Sequence, residues 1–65
     1  MKLQLNGAPV DVEVTTLTDL LQAEGLAAAK VATAVNGTFV PAAMRADHHL
    51  KDGDSVEVLA PMQGG

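Results

Sequence analysis

Alternating apolar and polar residues predict two strands at the start of the chain. Leucines alternate with polar residues over residues 2–5, and valines alternate with acidic residues over residues 10–14. Such alternation is typical of strands that bury one face. Asn6-Gly7 lies between them and supplies the positive φ angles of a tight hairpin turn. The segment therefore predicts a β-hairpin.

The apolar spacing then changes to that of a helix of about two turns over residues 17–24. Three leucines recur there on one helical face. Thr16 and Asp19 have the spacing of a capping box, with Asp in place of the better Glu. Gly25 is a natural left-handed stop, and Leu26 is placed to pack back on the last turn as in a Schellman cap.

A second hairpin is predicted further along the chain. Residues 31–35 are rich in small and branched side chains and predict a strand. Asn36-Gly37 supplies another turn, and a short return strand follows at residues 39–40. Pro41 cannot donate to a sheet ladder, so we expect this return strand at an edge of the sheet.

The remaining segments are shorter. Residues 27–30 fit either a helix extension or a loop, and residues 42–50 lack a clear period and leave room for a short helical turn. A turn is expected over residues 52–54. Valines alternate with polar residues over residues 55–59 and predict the last strand.

The order of elements is strand, strand, helix, strand, short strand, strand. One helix covers only one face of a sheet, so we expect an α+β fold with the other face open. Residues 1–59 should form the domain and residues 60–65 an extended, flexible C-terminal tail. The open face should carry Lys2, Gln4, Asp11, Glu13 and Glu57.

Length, composition and charge exclude several classes of function for this chain. The chain has 65 residues, which is one small domain with little room for an enclosed active site, so we expect a protein handled by enzymes. It has no cysteine, which excludes disulfides and thiolate zinc sites. The net charge is −4 and the four basic residues are scattered, which argues against nucleic acid and favours a basic protein partner. Without an apolar targeting or membrane-spanning run, we expect a soluble cytoplasmic protein.

The last two residues, Gly64 and Gly65, carry the candidate chemistry. Glycine has no Cβ, so a terminal Gly-Gly can thread a narrow channel and present its carboxylate inside another protein. Six tail residues reach about 20 Å at ~3.3 Å per residue. Pro61 restricts φ and favours an extended path. Two terminal glycines alone would suit a frayed end equally well.

Four segments in fixed order add specificity: residues 16–21 (TLTDLL), 35–41 (VNGTFVP), 50–57 (LKDGDSVE) and 64–65. Together they resemble the β-grasp fold of ubiquitin-like proteins, and within it the ThiS-type sulfur carrier family. The resemblance covers essentially the whole chain. It implies a mixed sheet of four to five strands, with one main helix on one face and the first and last strands parallel neighbours at the centre.

The sequence also departs from that family. Ala42 stands where the family often has Arg, and an aromatic residue is common near Met44. Arg45 is a candidate to replace the missing charge from a nearby position. These departures leave open whether partner binding is altered there.

The resemblance implies a mechanism centred on Gly65. A ThiF-like adenylating enzyme would use ATP to activate its carboxylate, and a persulfide donor would supply sulfur to leave a thiocarboxylate. A ThiG-like thiazole synthase would then receive the sulfur. The chain itself would bind no cofactor. Because the chain has no thiol, the C-terminal carboxyl group is the plausible carrier of the sulfur.

Other candidate features are weaker. The adjacent His48 and His49 point in different directions in regular structure, which favours a solvated pair over a metal site. Asp52 and Asp54 suit a turn better than a calcium loop. Leu59 has the opposite parity to Val56 and Val58, so it should point to the open face. With Met62 it could form an apolar partner patch beside the tail.

Other functions share the same tail. The small subunit of molybdopterin synthase and a cysteine-biosynthesis carrier use the same chemistry on the same fold. A ubiquitin-like modifier or a non-covalent interaction module is the alternative of another class. The sequence leaves open the final sulfur acceptor, the sulfur donor and the oligomeric state.

Overall fold

The computed structural model describes residues 1–27 and 30–60 of the chain. Within these ranges there are five strands, one α-helix and one 3₁₀ helix, in the predicted order. Their bounds are β1 Lys2–Leu5, β2 Ala8–Asp11, α1 Leu17–Ala23, β3 Ala32–Val35, β4 Thr38–Val40, the 3₁₀ helix Ala42–Asp47 and β5 Ser55–Leu59.

The strands form a single mixed sheet in the order β2-β1-β5-β3-β4. β5 pairs parallel with β1 and antiparallel with β3, while β1–β2 and β3–β4 are antiparallel hairpins. The first and last strands are therefore parallel neighbours, with β5 at the centre. The α+β class and the β-grasp arrangement expected from the resemblance are confirmed.

Both hairpins turn at the predicted Asn-Gly pairs. Asn6 and Gly7 have φ angles of 51° and 82°, and Asn36 and Gly37 have 51° and 83°. Two consecutive positive φ angles define a type I′ turn, whose twist matches that of the flanking strands. The turns fix the register of each hairpin.

The second strand begins and ends earlier than predicted, since it spans Ala8–Asp11. The valine pattern predicts a strand over residues 10–14, but β2 ends at Asp11, which pairs with Lys2. β1 begins at Lys2, so the residues after Val12 find no ladder partner there. Val12 and Val14 instead pack their half-buried side chains against the core. The alternation of valines reflects which side chains face the core, and a side chain can be buried without its residue pairing in the sheet.

Helix α1 begins and ends at the predicted caps. The Thr16 hydroxyl accepts a hydrogen bond from the Asp19 N–H at 3.2 Å, and the Asp19 carboxylate accepts one from the Thr16 N–H at 3.1 Å. At the other end Gly25 has φ +75° and the Leu26 N–H donates to the Leu21 carbonyl at 2.7 Å. This last bond is the six-to-one contact of a Schellman motif.

The segment after the cap, residues 27–30, is not helical at Ala27 or Lys30. Residues 28 and 29 lie outside the described residues, as does the predicted tail beyond Ala60.

The core lies between α1 and one face of the sheet. Leu17 and Leu20 of the helix are fully buried, as is Val56 of the central strand. The buried apolar residues are Leu3, Leu17, Leu20, Leu21, Val35, Val40, Leu50, Val56 and Val58. A 3₁₀ helix occupies part of the segment that lacked a period, and it packs against α1 on the same side of the sheet. The opposite face is left open.

A proline lies in or directly after each of the two edge strands. β4 is an edge strand, as Pro41 predicted. On the other edge, Pro9 of β2 lies opposite Gln4, between the hydrogen-bonded positions of the hairpin. Its nitrogen therefore faces outward, where a missing N–H removes a donor that another strand could pair with.

Among the described residues, no helix is long and apolar enough to cross a membrane.

Candidate functional site

Strand β5 leads directly to the predicted tail and presents its side chains alternately to the core and to the open face. Val56 and Val58 point into the core, whereas Leu59 is 62% exposed. Because successive side chains of a strand alternate between faces, Leu59 lies on the open face at the root of the tail. The predicted orientation of Leu59 is confirmed.

Cross-strand pairing places further apolar side chains beside Leu59. It pairs with Ala32 of β3, while Ala34 two residues along β3 pairs with Phe39 of β4. Phe39 is 65% exposed. We call these four residues, Leu59, Ala32, Ala34 and Phe39, the open-face patch. Met62, the other predicted member, lies outside the described residues.

Phe39 is the site residue that sequence reasoning missed. Its neighbour Val40 is buried in the core, so the alternation of β4 turns Phe39 to the open face. The signal was present, because Phe39 is the sole aromatic residue and lies next to a core valine in a short strand. What was missing was the strand order, which brings β4 to the same side of β5 as β3.

The other half of the open face is polar. All five residues predicted there are exposed, although Glu13 follows the end of β2. The N-terminal ammonium of Met1 lies 3.5 Å from the Asp11 carboxylate and 4.0 Å from that of Glu13. The open face therefore combines an apolar patch with a mainly acidic half. Its charged residues are Lys2, Asp11 and Glu57.

A shallow groove lies beside the root of the tail. Its residues are Lys30, Val31, Ala32, Ala42, Arg45, Leu59 and Ala60. Arg45 is half-buried there: its Nη2 donates to the Val31 carbonyl at 2.6 Å and its Nε to the Thr33 hydroxyl at 2.9 Å. These bonds tie the 3₁₀ helix to Thr33 of β3 and to Val31, which precedes that strand. Arg45 is the candidate to replace the charge missing at Ala42. Its guanidinium also stabilises the fold through these hydrogen bonds.

The carboxamides of the two turn asparagines form hydrogen bonds with the backbone of β5. Asn6 Oδ1 accepts from the Val58 N–H at 2.8 Å and its Nδ2 donates to the Val58 carbonyl at 3.2 Å. Asn36 Oδ1 accepts from the Ser55 N–H at 2.9 Å. The sequence predicts Asn6 and Asn36 only as turn residues, since the Asn6 contact spans 52 residues and no local pattern announces it.

The two aspartates accept hydrogen bonds at the turn over residues 52–54, whereas the half-buried His48 and the exposed His49 follow the 3₁₀ helix. The Asp52 carboxylate accepts from the Lys2 N–H at 2.7 Å, and that of Asp54 accepts from the Lys51 N–H at 2.9 Å. Hydrogen bonds from the Asn36 carboxamide and then from the Lys51 N–H lower the pKa of the Asp54 carboxyl. Within residues 1–27 and 30–60, no three His, Cys, Asp or Glu side chains come together as a metal site would need.

The predicted reactive residues, Gly64 and Gly65, lie outside the described residues. The structure thus places Leu59 and Phe39 on the same open face, with β3 between them, and leaves the roles of both glycines as predictions.

A five-stranded sheet with parallel β1 and β5 at its middle, one helix on one face and an open face at the root of the C-terminus defines a small β-grasp protein of the ubiquitin-like kind. The family model of the ThiS family matches residues 3–65. The chain belongs to the ThiS family. Membership makes it a small sulfur carrier protein of thiamine biosynthesis rather than an enzyme.

Named relatives agree across both sequence and structure. The chain is 42% identical to the sulfur carrier protein ThiS of Thermus thermophilus, over 94% of this chain and 95% of that one. It superposes on the crystal structure of the thiamine biosynthesis protein ThiS from Geobacter metallireducens with a TM-score of 0.86, at 36% identity and over all of both chains. Against the solution structure from the same organism the TM-score is 0.79, at 35% identity, covering all of this chain and 88% of the other.

Proposed function

We propose that the chain carries sulfur as a thiocarboxylate at Gly65 and delivers it for thiazole formation in thiamine biosynthesis. The observation that carries the proposal is the exposed Leu59 at the root of the tail. There the open-face patch adjoins Ala60, and the sequence that follows Ala60 ends in Gly64-Gly65. Membership of the ThiS family supports the same reading.

The chemistry begins with activation of a poor electrophile. A carboxylate oxygen of Gly65 attacks the α-phosphorus of ATP, and pyrophosphate leaves to give an acyl adenylate. The terminal sulfur of a persulfide donor attacks the carbonyl carbon, and AMP leaves. A thiol then reduces the resulting acyl disulfide and releases the thiocarboxylate. The chain has no cysteine to intercept the activated carbonyl, so the sulfur comes from the donor.

The open-face patch supports docking on a ThiF-like adenylating enzyme and then on a ThiG-like thiazole synthase. Phe39 and Leu59 are two of the three large apolar side chains that are exposed among the described residues, and both lie on this face. Exposed apolar clusters of this kind are typical of protein interfaces. The net charge of −4 favours partners with a basic surface, since complementary charge speeds encounter.

Reconstitution with intact-mass measurement tests the proposal. The chain is incubated with a ThiF-like enzyme, ATP and a persulfide donor, then analysed by mass spectrometry. We expect a mass gain equal to the difference between sulfur and oxygen, lost when Gly65 is deleted. An unchanged mass despite pyrophosphate release would refute the carrier role.

Attachment of the chain to lysine residues in the same assay would identify a protein modifier instead. Transfer of the sulfur to a thiazole synthase, but not to the large subunit of molybdopterin synthase, separates the two sulfur-carrier readings.

A further inference from the structure

The Asn6 side chain completes the sheet where β1 leaves it. The Asn6 backbone N–H donates to the Val56 carbonyl at 2.9 Å and continues the parallel ladder between β1 and β5. The chain then turns away at Asn6, where φ is +51°. Two residues further along β5, the Asn6 carboxamide binds both the N–H and the carbonyl of Val58. One side chain thus replaces a strand partner.

Asn6 holds the end of strand β5, the last part of the sheet before the predicted tail. Because Val58 directs its backbone polar groups toward Asn6, the neighbouring Leu59 directs its own toward Ala32 of β3, its antiparallel partner. The end of β5 is therefore held from both sides, by a carboxamide on one edge and by a strand on the other. Ala60, the first residue after β5, begins the predicted tail.

We propose that Asn6 is a positioning residue for the C-terminal tail. By gripping Val58 it fixes the direction in which the chain leaves the sheet toward Gly65, so that docking of the open face also aims the carboxylate. The inference rests on the proposed function, in which that carboxylate is the reacting group. A misplacement near 1 Å at a reacting centre can cost on the order of 10²-fold in rate.

The second turn asparagine provides a matched control. Asn36 has the same φ of +51°, precedes a glycine in the same kind of turn and also binds β5, but at Ser55 where the strand begins. Glycine tolerates positive φ, so Asn6→Gly and Asn36→Gly both keep their turns and remove only the carboxamide. Both variants should lose stability to a similar extent in thermal melts.

The decisive readouts are amide exchange and the kinetics of adenylation. In Asn6→Gly we expect the Val58 amide hydrogen to exchange with solvent about fivefold faster or more. The increase follows from the loss of one hydrogen bond at its net contribution to stability. With the adenylating enzyme, kcat should fall by about tenfold while KM stays within about twofold, because the open-face patch is intact. In Asn36→Gly, faster exchange should be confined to the Ser55 end of the strand, and kcat should match the parent.

Three results for the variants would overturn the inference. They are a parent-like kcat in Asn6→Gly although the parent protein is adenylated normally, unchanged exchange at Val58, and an equal loss of kcat in Asn36→Gly. If the parent protein itself gives no adenylate, the proposed function fails and the positioning role fails with it, but the exchange result still reports whether Asn6 holds the end of β5. An equal loss of kcat in Asn36→Gly would reduce both residues to general structural support.

Discussion

Replacement of Leu59 by Asp is the most direct test of the open-face patch. Leu59 is 62% exposed, so docking can bury about three-fifths of its side chain. Full burial of a leucine contributes about 1.5–3 kcal/mol, so the exposed part contributes about 1–2 kcal/mol. That range corresponds to about five- to thirtyfold in Kd. The added carboxylate must also be desolvated at the interface, so we expect Leu59→Asp to weaken binding by at least about tenfold.

The change should leave the fold intact. Leu59 is largely outside the core, and surface substitutions of this kind usually change stability by no more than about 0.5 kcal/mol, with somewhat more in a strand. A thermal melt of the variant checks this directly.

Ala23→Asp is the control. Ala23 is the exposed last residue of α1, the helix that covers the face of the sheet opposite the patch. The substitution introduces the same charge away from Leu59. Isothermal titration against the adenylating enzyme should give the parent Kd for Ala23→Asp and a weaker one for Leu59→Asp. Parent-like binding of Leu59→Asp, or equal weakening of both variants, would refute the patch.

Three further predictions concern the tail, the core and the helix cap. Gly64→Val should melt like the parent, yet release pyrophosphate on the order of 10²-fold more slowly, because a branched Cβ misplaces the carboxylate; deletion of Gly65 should be at least as severe, and full activity in both would remove the terminus as the reactive site. Leu20→Ala should cost about 2–5 kcal/mol, because Leu20 is fully buried. A domain of this size has only a few kcal/mol of stability, so denaturant titration should find the variant largely unfolded, whereas Leu59→Ala should titrate like the parent. Hydrogen bonds from the backbone N–H groups of Thr16 and Thr15 lower the pKa of Asp19 from its ordinary value of 3.8. The stability they give is present above that value and is lost as the pH falls through the lower pKa of the folded state, so melts between about pH 6 and pH 2.5 should show a shallower decline for Asp19→Asn than for the parent.

Much of the fold was predictable because its signals are local. The Asn-Gly turns, the capping box and the Schellman cap each depend on residues no more than five positions apart. Backbone conformation and short-range hydrogen bonds decide such features, so residue type and spacing are sufficient. The parity of Leu59 belongs to the same class, since neighbouring strand residues face opposite sides.

Features that depend on pairing between distant segments were decided only by the tertiary structure. The end of β2 at Asp11 is set by where β1 begins, and the place of Phe39 in the patch is set by the order of the strands. The hydrogen bonds between Asn6 and Val58 join residues that are 52 positions apart in the sequence. A carboxamide has the same chemistry in a turn whatever it binds. Its partner is chosen by the packing of the whole sheet, which no local pattern in the sequence encodes.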